Sequence, residues 1–312
     1  MIGRGSGARA RGQAGSEAGS QSEGQAGSQT VAQTGDQVWS QPGSQAGLRV
    51  WGLPGAFLFG WALLALVAPW LPLTPDAVDL PGILAGPGPD SLLGNDDLGR
   101  PILDRLLVGA RIAFVVSFGV VALSAAIGVL VGGIGAFTGG WIDLLLVRLI
   151  DVFLAFPGIL LAIALAGILG PGIDNLILAL SATGWVGYAR LTRAQILALK
   201  ERDHVLAARA LGVGPGRILA RHLLPLALTP LIVEATFGIA GVVVAEAGLS
   251  FLGLGVQPPQ ASWGSMIREG VGYMLVAPHL VLAPGVAIAL VVFSVNLLGD
   301  RLRDWLDVRQ AA

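Results

Sequence analysis

From Ile112 to Phe137 the chain runs without a charged side chain, dotted instead with Gly119, Gly128, Gly132, Gly133 and Gly135. A bilayer core about 30 Å thick takes roughly 20 apolar residues of helix at 1.5 Å rise each. The run meets that length, and small residues at such spacing let helix backbones approach closely inside a membrane. The whole chain agrees with the run. Of its 312 residues 54% are hydrophobic and 12% charged, with mean hydropathy +0.74, where soluble domains carry about a quarter charged residues. The expected fold class is all-α, a polytopic membrane protein with about six transmembrane helices.

Six segments qualify as spans: Val50–Leu71, Ile112–Phe137, Val152–Leu169, Asn175–Ala189, Leu223–Ala247 and Leu282–Leu298. Pro54 and Pro69 limit the helical length of the first. A Gly170-Pro171-Gly172 turn follows the third, with Asp174 read as a helix cap. The fourth is expected to continue as an amphipathic helix toward Lys200, and the sixth to end at Gly299 before a charged tail. Residues 1–47, rich in Gly, Ser and Gln, bury too little apolar surface to offset ordering entropy and are expected to form a disordered tail. No apolar core precedes Val50, so the first run is read as a retained span and not a secretory signal. The remaining divisions are a first transmembrane helix over 48–73, an extracytoplasmic loop over 74–104, a transmembrane core over 105–300 carrying the loop 190–225, and a tail over 301–312.

Lys and Arg set the orientation. With a cytoplasmic N-terminus, the inner side holds Arg4, Arg9, Arg11, Arg49, Arg148, Arg190, Arg193, Lys200, Arg202, Arg209, Arg217, Arg221, Arg301, Arg303 and Arg309. The outer side keeps Arg100, Arg105, Arg111 and Arg268. Both termini are therefore expected in the cytoplasm, and the location is the plasma (inner) membrane.

Several chemistries drop out early. With no cysteine there is no disulfide, thiolate metal site or cysteine nucleophile, and His204, His222 and His279 lie too far apart in sequence to suggest a metal cluster. A net charge of −1 gives no argument for nucleic acid. Gly212-Val213-Gly214-Pro215-Gly216-Arg217 is glycine-rich but lacks the Lys-Ser or Lys-Thr of a phosphate-binding loop. No H-E-x-x-H or G-x-S-x-G pattern appears either. The chain is not expected to be an enzyme.

The basic stretch between Arg190 and Pro225 is the informative one. Ala207-Ala208-Arg209-Ala210-Leu211-Gly212 is followed after nine residues by His222-Leu223-Leu224-Pro225. Alanines give a helix with little bulk, suited to a partner's cleft, and Gly212 can take a positive φ to turn the chain. Arg209, Arg217 and Arg221 can pair with acidic groups on a rim, each worth little alone but setting register. As a bare solvated loop the same arginines would follow from the positive-inside rule alone.

This stretch resembles the signature loop of permease subunits in binding-protein-dependent ABC importers. Leu98-Gly99-Arg100, Arg148-Leu149-Ile150-Asp151 with Phe156-Pro157, Ala245-Glu246-Ala247-Gly248-Leu249-Ser250-Phe251-Leu252-Gly253-Leu254-Gly255, Gln257-Pro258-Pro259, Ser262-Trp263-Gly264 and Asn296-Leu297-Leu298-Gly299-Asp300 narrow the likeness to the C-type permease of the dipeptide, oligopeptide and nickel branch. The likeness covers about residues 48 to 308 and departs at two places. Leu206 stands where a glutamate is usual, and Pro101 follows Arg100 where Gly-Arg-Asp is usual.

The resemblance implies an ABC type I importer-like fold and four kinds of neighbour beyond this chain. These are a second homologous permease completing the pore, two ATP-binding subunits, an extracytoplasmic solute-binding protein and the lipid bilayer. ATP and Mg would be used by the ATP-binding subunits, with no cofactor on this chain. The coupling residues it implies are Leu206, Ala207, Ala208, Arg209, Ala210, Gly212, Arg217, His222 and Pro225. The implied cargo is a dipeptide or oligopeptide, with nickel or another small solute as the alternative.

Carboxylates in or near spans are expensive and so are functional candidates. Asp151, Glu234 and Glu246 are candidates for the translocation path or for helix packing. Asp151 sits three residues after Arg148, the spacing of a helical ion pair. The same three groups would serve an ion-coupled secondary transporter, but the two halves of the chain show no evident internal repeat. A non-transporting scaffold that docks an ATPase would keep the loop and need no path.

Overall fold

Apolar runs of this length satisfy their own backbone hydrogen bonds as helices, and the computed structural model shows what the runs become. It describes residues 44–89 and 91–311. The expected tail lies outside these residues except for its last four, which open the first helix. From Trp51 onward the chain forms one compact unit.

The helices, in order, are α1 Ser44–Val67, α2 Ile102–Thr138, α3 Gly140–Leu154, α4 Gly158–Leu169, α5 Ile173–Leu199, α6 Asp203–Ala210, α7 Pro215–Ile218, α8 Leu224–Phe251, α9 Trp263–Val271 and α10 His279–Ala311. A π-turn, Leu219–Leu223, joins α7 to α8. No strand occurs among the described residues, so the all-α expectation holds.

Among the described residues, four helical segments are long and apolar enough to cross a membrane: Gly52–Trp70, Ile102–Thr138, Pro215–Phe251 and His279–Leu306. A bent pair, α3 with α4, makes a fifth if counted as one span. The expected third span was a single run over Val152–Leu169. Instead the chain turns by 84° between α3 and α4, because Pro157 cannot continue a helix and stands in extended conformation at φ −58°, ψ 119°. The expected fourth span is α5, 27 residues long but less apolar than a lipid-facing helix needs. Its Ser181, Trp185, Tyr188 and Thr192 are buried among neighbouring helices, where polarity is tolerated.

Three boundaries also move. The charged tail does not leave the sixth span at Gly299, since α10 continues through Ala311. Asp174 is not a cap: Gly172 holds that position, and Asp174 lies in the first turn of α5. The outer loop gives way to helix at Ile102, so Arg105 and Arg111 belong to α2.

Glycines decide how tightly the centre packs. Along α2, Gly119 meets Ile177, Gly128 meets Trp185 and Tyr188, and Gly132 meets the backbone of Ala189, so α2 and α5 run side by side in the same direction. A Cβ at Gly132 would overlap the Ala189 carbonyl oxygen. Helix α8 returns the opposite way, with Gly238 against Tyr188 and Val121, and Leu224 near Gly133. Helix α10 flanks α8, where Gly299 accommodates the Phe237 ring. Two ends result. One carries α3, α6 and α7; the other carries α9 and the loop that precedes α2.

Candidate functional site

Helix α6 leaves the end of α5 after Arg202, which takes an extended conformation at ψ 147° and opens the new helix. Asp203 in its first turn and Arg209 in its last suit the helix dipole. The helix ends in a Schellman turn. Val213 N–H donates to the Ala208 carbonyl at 3.1 Å and Gly212 N–H to the Arg209 carbonyl at 3.0 Å, with Gly212 at φ +76° as such a turn requires. The chain then re-enters helix at Pro215 and passes through the π-turn into α8, where Pro225 sits in the first turn and its missing N–H costs nothing.

The inner face of this elbow is fastened to the body. Val205, Ala208, Ile218 and Leu223 are buried in one cluster with Ile196, Leu199 and Ala227. Ala208 therefore faces the protein and not a partner, contrary to its expected place on the small-residue face. Ala207 and Ala210 are exposed, as are Leu206, Arg209, Gly212, Arg217 and Pro225, while His222 is half-buried. Leu211 was not expected to matter, yet it is 84% exposed at the tip. Its signal was present in the sequence, four residues after Ala207 and directly before the turning glycine. Among the described residues Arg209, Arg217 and Arg221 make no ion pair. The elbow thus offers an apolar tip ringed by unpaired positive charge.

The opposite end is a closed ionic knot that the sequence reading did not foresee. Arg100 Nε meets Asp96 Oδ2 at 2.6 Å, and Arg100 Nη2 meets Glu269 Oε2 at 3.1 Å. Arg105, 1% exposed, reaches the same Glu269 oxygen at 2.7 Å and Asp96 Oδ2 at 3.4 Å. Asp96 Oδ1 also accepts from the backbone N–H groups of Leu98 and Arg100, each at 2.9 Å. Gly99, at φ +77°, closes this turn against Asp79. Glu269 is held in place by α9, whose start is a reciprocal box between Ser262 and Ser265. Trp263 then donates its indole N–H to the Leu106 carbonyl at 3.0 Å and fits against Gly109. The segment around Pro258, Pro259 and Trp263 thus forms an ordered cap over this end of the bundle.

The three span carboxylates are not brought together. Asp151 pairs with Arg148 at 3.6 Å on the surface, the local pair its spacing implied. Glu246 is 1% exposed and accepts from Ser250 Oγ at 2.8 Å. It lies one residue from Ala247, whose backbone Gly264 of the cap touches, so it packs α8 beneath the cap. Glu234 is exposed, twelve residues earlier and about 18 Å away along α8 at 1.5 Å per residue.

A helical bundle with several membrane spans, a fastened elbow at one end and an ionically closed cap at the other is a polytopic permease subunit. Residues 124–311 match the family described as binding-protein-dependent transport system inner membrane component. The chain belongs to that family.

Among its relatives, the dipeptide transport system permease protein DppC of Alkalihalophilus pseudofirmus is 41% identical over 78% of this chain and 81% of its own length. A putative peptide transport system permease protein of Brucella suis is 42% identical over 79% of this chain and 83% of its own. The nickel transport system permease protein NikC of Escherichia coli K12 is 39% identical over 79% and 90%. In fold, the chain is similar to one from an inward-facing crystal structure of the MetNI methionine ABC transporter. The TM-score is 0.53 at 21% identity, over 66% of this chain and 98% of that one. The chain is a transport permease of the ABC-importer type.

Proposed function

We propose that this chain forms, with a second homologous permease, the path by which a solute-binding protein's peptide cargo crosses the inner membrane, driven by two ATP-binding subunits docked on the elbow. The observation that carries this reading is the elbow itself. Its Schellman turn and the buried Val205, Ala208, Ile218 and Leu223 hold a small apolar tip outward, and π-turn and helix continue from it into α8. A push on the tip moves a span. ATP and Mg would be handled by the docked subunits, and no cofactor is assigned to this chain.

The Lys and Arg bias supports a cytoplasmic elbow and cytoplasmic termini. Pairing inside the chain sharpens that bias, because Arg100 and Arg105, two of the four outer cations, are tied up in the cap knot. The cap and the loop before α2 would then meet the solute-binding protein.

A second cargo, nickel, is favoured by the likeness to the nickel permease, close in identity to that with the peptide permeases. Uptake of labelled Ala-Ala against radioactive nickel, in proteoliposomes holding the co-encoded subunits and binding protein, separates the two. Docking is tested independently. The chain has no cysteine, so Leu211→Cys places a single thiol at the tip. Crosslinks to an ATP-binding subunit that change with nucleotide are expected, and none in actively importing membranes would overturn the docking.

A further inference from the structure

Glu234 lies roughly 15 Å along α8 from Leu224 at 1.5 Å per residue, well inside the span Pro215–Phe251. Its side chain is exposed, and no hydrogen bond or ion pair satisfies it among the described residues. A bare carboxylate at this depth is too costly to face hydrocarbon, so this strip of α8 borders water or another polar surface.

The neighbouring groups fit a binding role. Gly187 of α5 is exposed beside it, and a Cβ there would stand 3.5 Å from Glu234 Oε1. The next residue, Tyr188, is 5% exposed with a hydroxyl that finds no hydrogen-bond partner. That hydroxyl lies 2.6 Å from where a Cβ on Gly238 would be, and Gly238 is one helical turn beyond Glu234. An exposed acidic group beside Gly187 and a buried, unused hydroxyl against Gly238 thus lie within one helical turn of each other along α8, next to positions that carry no side chain.

We propose that Glu234 and Tyr188 form a cation-reading station in the translocation path, taking a positively charged group of the passing cargo. The carboxylate supplies the opposite charge, the phenol oxygen a second contact, and the two glycines the room for close approach. Two cargos share this chemistry: a peptide, through its N-terminal ammonium, and a divalent metal ion. The proposal rests on the importer reading given above.

The test uses the full complex with its binding protein in proteoliposomes, with Ala-Ala and Ni2+ as probes. Glu234→Gln is expected to cut uptake of the probe that the wild type carries by about tenfold, the worth of one charged contact, while the subunits still co-purify. Glu234→Asp should recover part of the loss, and Tyr188→Phe should raise KM more than it lowers kcat. Loss confined to Ala-Ala identifies the ammonium, and loss confined to Ni2+ identifies the metal. Wild-type uptake in Glu234→Gln overturns the station. Failure of that variant to co-purify with the second permease also overturns it, making Glu234 a subunit contact. If the wild type carries neither probe under ATP, the peptide-or-nickel reading falls and the station with it.

Discussion

Arg193 grips Asp143 with two parallel bonds, Nε to Oδ1 at 2.7 Å and Nη2 to Oδ2 at 2.8 Å, and so ties the last turns of α5 to the first turn of α3. The guanidinium fork matches a carboxylate in a way that a lysine ammonium cannot. Arg193→Lys is expected to keep the charge, lose one prong and cost about 1–2 kcal/mol, read as a lower apparent Tm in detergent. Because α5 leads directly into the elbow, uptake should fall further than ATP hydrolysis does. Exchanging the pair, Asp143→Arg with Arg193→Asp, should restore part of both.

Gly212 has open space around it, with no heavy atom within 4 Å of a built Cβ, but its φ of +76° strains any other L-residue. Gly212→Ala should therefore cost about 1–2 kcal/mol locally. Gly212→Asp is expected to leave membrane insertion intact and to separate uptake from ATP hydrolysis. Normal uptake in that variant would remove the elbow from the mechanism.

Leu211 makes a cleaner probe of docking, since at 84% exposure its loss leaves no cavity. Leu211→Ser should shift stability by no more than about 0.5 kcal/mol yet weaken association with the ATP-binding subunits by about tenfold, as for a buried interface anchor. Leu275→Ser, at the other end and 96% exposed, serves as the control that should leave this association unchanged. Equal behaviour of the two variants in a pull-down titration would rule out the tip as the anchor.

Arg105 is almost wholly buried between Asp96 and Glu269. Arg105→Met removes a charge from a closed network and should destabilise the fold by about 3–5 kcal/mol, as breaking buried pairs does. Arg105→Lys should lose less. Wild-type thermal stability in Arg105→Met would mean that Arg100 alone neutralises both carboxylates.

The length of the apolar runs made the spans legible because hydropathy reports which residues avoid water. It carries no direction, however, so Val152–Leu169 read as one span, and the 84° turn at Pro157 emerged only with the fold. Within the elbow, the ends and the turning glycine were legible, but which alanine faces the body depends on helix phase. Val205 and Ala208 face inward together, one turn apart. The cap knot was beyond local pattern altogether, since Arg100 and Glu269 are 169 residues apart in the chain. Helix α9 escaped notice too, being nine residues long and opened by a box with serine at both positions.

The two ends of the molecule share α8. It begins at Leu224 beside the elbow and finishes at Phe251, past the point where Ala247 bears on Gly264 of the cap. At 1.5 Å per residue its 28 residues make a rod of about 42 Å, with Pro225 in its first turn and Pro230 further inside. A displacement imposed at either face of the bilayer therefore reaches the other along a single stiff axle, with no loop in between to absorb it.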